Sequence, residues 1–299
     1  MKYARIARNP HDDASASSSQ PKLFALRQRD EDPWVSLESL GLAAADIAEL
    51  IDVASDAAAR IAAGFGDPVV GPVTLDCPVV RPSKMIAIGL NYMDHARETG
   101  ASPPTAPICF AKYPNTLNGP FGDIIVDPAL TSEPDYEAEL AVIIGRPTRS
   151  VTAAEALEFV FGYAVANDVS ARDLQRRDTQ FSRSKSMDTF CPVGPWITTA
   201  DEVPDPQALT IESHVNDEVR QRSSTAEMIF SVAQLISYLS KTMTLLPGDM
   251  LLTGTPHGVG IGRKPAVFLD ADDVVSVEIS ALGRIANTVV RPQATGRAS

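Results

Sequence analysis

An acidic entry into an unbroken apolar run, Asp135-Tyr136-Glu137-Ala138-Glu139-Leu140-Ala141-Val142-Ile143-Ile144-Gly145, constrains this chain more than any other stretch. Its second half is apolar and β-branched and closes on a glycine, the composition of a strand. If the strand period of two runs back through the acidic residues, Glu137 and Glu139 point to one face. Two carboxylates that close repel unless a proton or a cation lies between them. A divalent ion held by oxygen ligands is one neutraliser. The other reading is a solvated face on an edge strand, where Glu-x-Glu costs little, and these residues alone leave both open.

The chain of 299 residues is long enough for one large domain, or a medium and a small one. With 44% hydrophobic and 21% charged residues, a sizeable core is available. The 26 Lys and Arg against 38 Asp and Glu give a net charge of −12, which argues against a nucleic acid or an anionic membrane as partner. Cys77, Cys109 and Cys191 form no C-x-x-C pair and no even framework, which suits reduced thiols in the cytoplasm. No apolar run reaches the length of a membrane span, and the N-terminus lacks the apolar core of a secretory signal.

Residues 1–8 and Leu23–Leu26 read as strands around a polar, serine-rich loop that contains His11. Ala43–Ala63 carries a helical stripe through Ile47, Leu50, Ile51, Ala54, Ala58 and Ile61. A proline-rich connector comes next, and a domain boundary is expected near residue 80. Lys84–Gly89 then reads as a buried strand, Ile108–Lys112 as another, and Val274–Val290 as a hairpin, with Pro292 onward frayed. Two capping-box patterns, Thr152-x-x-Glu155 and Ser224-x-x-Glu227, predict helices through Phe161 and Lys241. No regular βαβ alternation is present, which argues against a doubly wound sheet.

Several residues carry candidate chemistry. In a short helix after Gly89, His95 and Glu98 are i,i+3 neighbours. A carboxylate beside an imidazole fixes its tautomer, as a general base needs, and an incidental surface pair has the same spacing. Asp168 closes a strand, where a carboxylate serves equally as a metal ligand, a turn residue or an N-cap. Residues 169–190 are polar and irregular, a pattern more often functional than idle. Cys191, beside Pro192, reads as a structural thiol and His257 as a solvent-facing loop residue. The glycines at 258, 260 and 262 do not form a nucleotide loop and suit a wall where backbone approaches a ligand.

Their order along the chain is more specific than any one of them. Asn91-Tyr92-x-Asp94-His95-x-x-Glu98, Phe110-x-Lys112, Glu137-x-Glu139-Leu140, Asn167-Asp168 through Arg172-Asp173-x-Gln175, Lys185 through Pro192, and Thr253-Gly254-Thr255-Pro256 together resemble the fumarylacetoacetate hydrolase family over about residues 80 to 291. The resemblance is to its bacterial acylpyruvate hydrolases and 2-oxo-acid hydratase-isomerases. It implies an α+β, mostly β fold: a mixed β-sandwich roll over 80–291 after a small N-terminal α/β domain, 1–79, with a tail at 292–299. It also implies a homodimer with Mg²⁺ or Mn²⁺ held by Glu137, Glu139 and Asp168. His95 and Glu98 match the family's catalytic dyad on a lid helix, and Lys185 its lysine near the metal. Arg172, Gln175 and Thr255 match substrate contacts, and Asp94 matches a further metal ligand of the animal enzymes that bacterial relatives generally do without.

The expected reaction is hydrolysis of the C–C bond of a 2,4-dioxo acid such as an acylpyruvate or fumarylpyruvate, releasing pyruvate and a carboxylic acid. The same residues also suit a decarboxylase, isomerase or dehydratase of a 2-oxo acid. A Ca²⁺ site serving stability alone is a third reading, but it has no use for His95 and Glu98.

Overall fold

The structure, a computed structural model, describes residues 1–8 and 22–292. The serine-rich loop with His11 and the tail from residue 293 lie outside them. An 11-stranded mixed sheet runs through β3 (Val35–Ser36), β2 (Leu23–Arg27), β1 (Lys2–Arg8), β13 (Cys191–Thr199), β11 (Val160–Asn167), β10 (Ala138–Ile144), β16 (Met250–Leu252), β5 (Met85–Gly89) and β6 (Ile108–Lys112). Off this path, β4 (Val73–Asp76) pairs with β1 and β7 (Leu117–Asn118) with β13. A second sheet has the order β15 (Glu218–Ser224), β14 (Thr210–Val215), β17 (Val274–Ile279), β18 (Gly283–Val290) and β8 (Ile124–Ile125). A short pair joins β12 (Ser170–Ala171) to β9 (Pro134–Asp135). The class is α+β and mostly β, as expected.

β10 explains this layering, because every one of its residues is buried. Leu140, Val142 and Ile144 face a core shared with Leu235 and Ile236 of α5 (Val232–Ser240) and with Ile279 and Ile285 of the second sheet. Ala141 and Ile143, on the opposite face, meet Leu50 and Ala54 of α1 (Ile47–Ala62). A strand covered on both faces needs a continuous apolar run, and Leu140–Ile144 supplies one. The boundary expected near residue 80 falls inside this sheet, since β1 bonds to β13 with Tyr3 opposite Ile197. No helix among the described residues is long and apolar enough to cross a membrane.

Two expected helices differ. Ser224 caps only a single 3-10 turn, Thr225–Glu227, and α5 starts at the next such pattern, where Ser231 and Gln234 form the capping box. Asn91 is the reason: its carbonyl accepts Ile229 N and its Oδ1 accepts Phe230 N, so 229–230 are held outside the helix. At Thr152 the box half-forms, with Thr152 N and Oγ1 both donating to Glu155 Oε2. Only a 3-10 turn, Ala156–Phe159, comes after it, because Val160 already pairs with Ile144 in the sheet.

The parallel pair β5–β16 carries residues toward the acidic end of β10, and one buried carboxylate fixes where both strands begin. Asp249 accepts from Ser83 Oγ at 2.5 Å, Lys84 N at 2.9 Å and Leu246 N at 2.7 Å, and pairs with Lys84 Nζ at 2.7 Å. Asp249→Ala strands these donors and is expected to cost on the order of 3 kcal/mol. Denaturant unfolding measures this, and a loss below about 0.5 kcal/mol would mean the strands are set by packing alone.

Candidate metal centre and catalytic cavity

Glu137, Glu139 and Asp168 are all buried and each offers a carboxylate oxygen within 4.8 Å of the others. The β10–β11 ladder brings them together: Ala138 lies opposite Asn167 and Glu139 opposite Ala166, so the acidic start of one strand adjoins the acidic end of the other. Asn167 Oδ1 accepts Glu137 N at 3.0 Å, and Glu137 O accepts Asp168 N at 2.9 Å.

Three buried cations answer most of this charge. Lys185 Nζ lies 2.6 Å from Glu137 Oε2 and 2.8 Å from Asp168 Oδ2. Lys112 Nζ is 2.7 Å from Asp168 Oδ1. Arg172 bridges Glu137 Oε1 at 2.7 Å and Asp135 Oδ2 at 2.8 Å. Burial alone would push the Glu137 carboxyl up, but Lys185 and Arg172 overcome it and hold it at about 2. Glu139 goes the other way: burial, then the charges of Asp168 and Glu137, push it well above the ordinary carboxylate range. Its one hydrogen bond among the described residues is from Gly254 N, at 2.8 Å.

An oxygen-only donor set containing a carboxylate without its own cation fits a hard divalent ion. Glu137, Glu139 and Asp168 would hold it. Asp94 does not join them. It lies on α2 (Met93–Thr99), where Oδ2 accepts Ser223 Oγ at 2.5 Å and meets His257 Nδ1 at 3.0 Å. His257 is an exposed loop residue, as expected, and its ring in addition meets Asp94 of α2. Cys191 is buried and its thiol is pushed up by that burial.

α2 also carries the dyad. His95 Nδ1 is 2.9 Å from Glu98 Oε2, and Glu98 Oε1 accepts Gly258 N at 2.8 Å. Burial raises the Glu98 carboxyl, but His95 and Gly258 N outweigh it and hold it below its usual range. The glycine-rich wall thus meets carboxylates of the protein itself: Gly254 N reaches Glu139, Gly258 N reaches Glu98, and Gly260 N reaches Asp135 Oδ1 at 2.7 Å. A Cβ at Gly260 would lie 2.6 Å from that oxygen, so only glycine lets the backbone this close.

His95, Glu137, Arg172, Gln175, Lys185 and Thr255 line one cavity of about 260 Å³. Glu98 stands behind His95 and does not line it. Arg172 Nη1 donates to Gln175 Oε1 at 3.0 Å, which leaves the Gln175 NH₂ as a donor, and Thr255 Oγ1 accepts Gln221 Nε2 at 2.8 Å, which leaves its hydroxyl proton. A larger cleft of about 790 Å³, bordered by Tyr3, Ile51, Phe161 and Glu202, shares no residue with this cavity. The sequence reading assigned no role to Asp135 or Lys112. Asp135 was signalled by its two-residue offset from Glu137, whereas the partner of Lys112 lies 56 positions away in sequence at Asp168 and leaves no local trace.

Residues 84–290 match the family model described as the C-terminal domain of fumarylacetoacetate hydrolase. The chain is 47% identical over 220 residues to the mitochondrial oxaloacetate tautomerase FAHD2A of Bos taurus, covering 73% of this chain and 70% of that one. It is 51% identical over 208 residues to the 2,4-didehydro-3-deoxy-L-rhamnonate hydrolase of Sphingomonas sp. (strain SKA58), covering 69% and 73%. The maleylpyruvate hydrolase of Sphingobium sp. SYK-6, solved with manganese(II) and pyruvate, superposes with a TM-score of 0.78 at 31% identity, covering 98% of this chain and all of that one.

The charge balance and the ties of α2 each set a measurable outcome. Glu139→Gln removes a carboxyl whose ionisation the folded protein must suppress, so in EDTA the variant should melt higher than the parent by ~2–4 °C. Added Mg²⁺ should raise the parent's Tm and not the variant's, and a lower Tm for the variant in EDTA would contradict the charge count. Asp94→Ala frees the first turn of α2 from Ser223 and His257. Amide exchange across Met93–Thr99 should quicken by roughly tenfold with Mg²⁺ affinity unchanged, and unaltered exchange would mean Asp94 does not hold α2.

Proposed function

The chain belongs to the fumarylacetoacetate hydrolase family, and from that membership we propose that it hydrolyses the C3–C4 bond of a 2,4-dioxo acid of the acylpyruvate type. The observation that carries this reading is the shared cavity: a histidine oriented by a carboxylate faces the same small space as Glu137 and Lys185. A divalent ion such as Mg²⁺ or Mn²⁺ held by Glu137, Glu139 and Asp168 would supply an electrophilic anchor for the oxygens of a 2-oxo acid. The protein's own groups do the remainder. With Nδ1–H donated to Glu98, His95 presents the lone pair of Nε2 and takes a proton from water. The hydroxide adds to the C4 carbonyl, and the C3–C4 bond breaks with its electron pair going to C3. A proton returned to C3 gives pyruvate, and the acyl group leaves as a carboxylate. Lys185 and Arg172, fixed by buried carboxylates, hold N–H donors in place beside the position where negative charge develops.

The tautomerase relative supports a second reading, in which His95 moves a proton at C3 and no C–C bond breaks. Incubating acetylpyruvate, oxaloacetate and a 2-keto-3-deoxy sugar acid side by side separates these by product. The same proposal has the enzyme act as a homodimer in the cytoplasm, in keeping with three cysteines that form no disulfide.

His95→Ala should lower kcat by ~10²–10⁴-fold with Mg²⁺ affinity by calorimetry unchanged. Full turnover in that variant would remove the dyad from the reaction.

A further inference from the structure

The cavity that holds His95 has a lining of two chemical kinds. Besides the polar groups it is lined by Ile88 of β5, Leu90 just after that strand, Ile108 and Phe110 of β6, and Phe181 of the short helix α4 (Phe181–Ser184), which comes after α3 (Arg172–Asp178). Phe110, Phe181 and Ile108 adjoin one another: the Phe110 and Phe181 rings meet edge to face at 5.4 Å, and a Cβ on Gly89 would lie 3.3 Å from the Phe181 ring and 3.6 Å from Ile108. The apolar lining begins at the lysine, since Lys185 Nζ is 5.5 Å from the Phe110 ring centroid.

Charge in the polar lining is already committed. Arg172 and Lys185, the two cations lining the cavity, each pair with two carboxylates of the protein. Neither is left for a second acidic group on a ligand. A carboxylate pressed against the leucine, isoleucine and phenylalanine side chains would lose its water and gain no partner.

Leu90 supplies an independent sign. Its φ is +49°, in the left-handed region that glycine enters freely and a leucine enters at a cost. The neighbouring Asn91 is anchored next to it, with its Nδ2 donating to Thr253 O at 2.8 Å and Phe230 O at 3.1 Å. A backbone that would suit glycine carries instead a large apolar side chain on the cavity wall.

We propose that Leu90, Ile108, Phe110 and Phe181 are specificity-determining residues that select 2,4-dioxo acids with a short, uncharged, apolar acyl group and reject those with a second carboxylate. This rests on the 2,4-dioxo-acid reading above. With Mg²⁺ present, acetylpyruvate and butanoylpyruvate should each show a kcat/KM at least about tenfold above that of maleylpyruvate. Equal or faster cleavage of maleylpyruvate overturns the assignment. Leu90→Gly relieves the backbone and removes the side chain, so its Tm should not fall while the butanoylpyruvate-to-maleylpyruvate ratio drops by about fivefold or more. An unchanged ratio overturns the role of Leu90. If no 2,4-dioxo acid is cleaved, the hydrolase reading fails, and binding still tests the wall. Calorimetry of 2-oxohexanoate against 2-oxoadipate should then favour the monoacid by about tenfold, and the reverse order overturns the proposal by itself.

Discussion

Four carboxylates and three cations share a volume from which water is largely excluded, and the remainder of the structure serves that imbalance. Asp135, Glu137, Glu139 and Asp168 face Lys112, Arg172 and Lys185 at separations of 2.6–2.8 Å, and Glu139 is the member without a cation. A buried charge with no partner is among the most costly arrangements in a protein interior. The fold holds it because the sheet on both sides leaves it nowhere to relax: β10 and β11 are apolar, buried and paired along their length. Such an arrangement suits a cation, because a dication added there would remove a cost instead of merely forming new bonds.

The glycine-rich segment from Gly254 to Gly260 couples this cluster to α2. Its amides are shared among three carboxylates: Glu139 in the cluster, Asp135 beside it and Glu98 on α2. A movement of that segment reaches the trio and the dyad together. α2 itself is short, seven residues, and only Ala96 on it is fully buried. Apolar packing therefore contributes little to its position, and polar contacts of Asp94 and Glu98 hold it over the cavity. The division of labour is physical: a buried β layer for the charges, and a helix tied by hydrogen bonds for the His95–Glu98 pair.

The legible parts of the site were those written locally. The i,i+3 spacing of His95 and Glu98 specifies their contact once a helix forms, and the two-residue offset of Glu137 and Glu139 specifies a common neighbourhood once a strand does. Asp168 was tied to them only by resemblance, since nothing near it in sequence marks the approach of β11 to β10. The contact of His257 had no signal, because its partner Asp94 lies 163 positions away. The helix start at Ser231 was misplaced at Ser224 for a similar reason: both sites satisfy the capping pattern, and the choice belongs to Asn91, which occupies the backbone groups of 229 and 230.

By itself, then, the sequence determined what depends on neighbours within a few positions: the buried strand after Glu139, the α1 stripe, the Val274–Val290 hairpin and the pairing within α2. Only the tertiary structure decided which charges meet. Lys112 with Asp168, Arg172 with Asp135 and Asp94 with His257 and Ser223 are contacts between segments from 37 to 163 positions apart. Backbone periodicity fixes the face on which a side chain emerges, whereas its partner across the cavity is fixed by strand order, and strand order is a property of the whole chain.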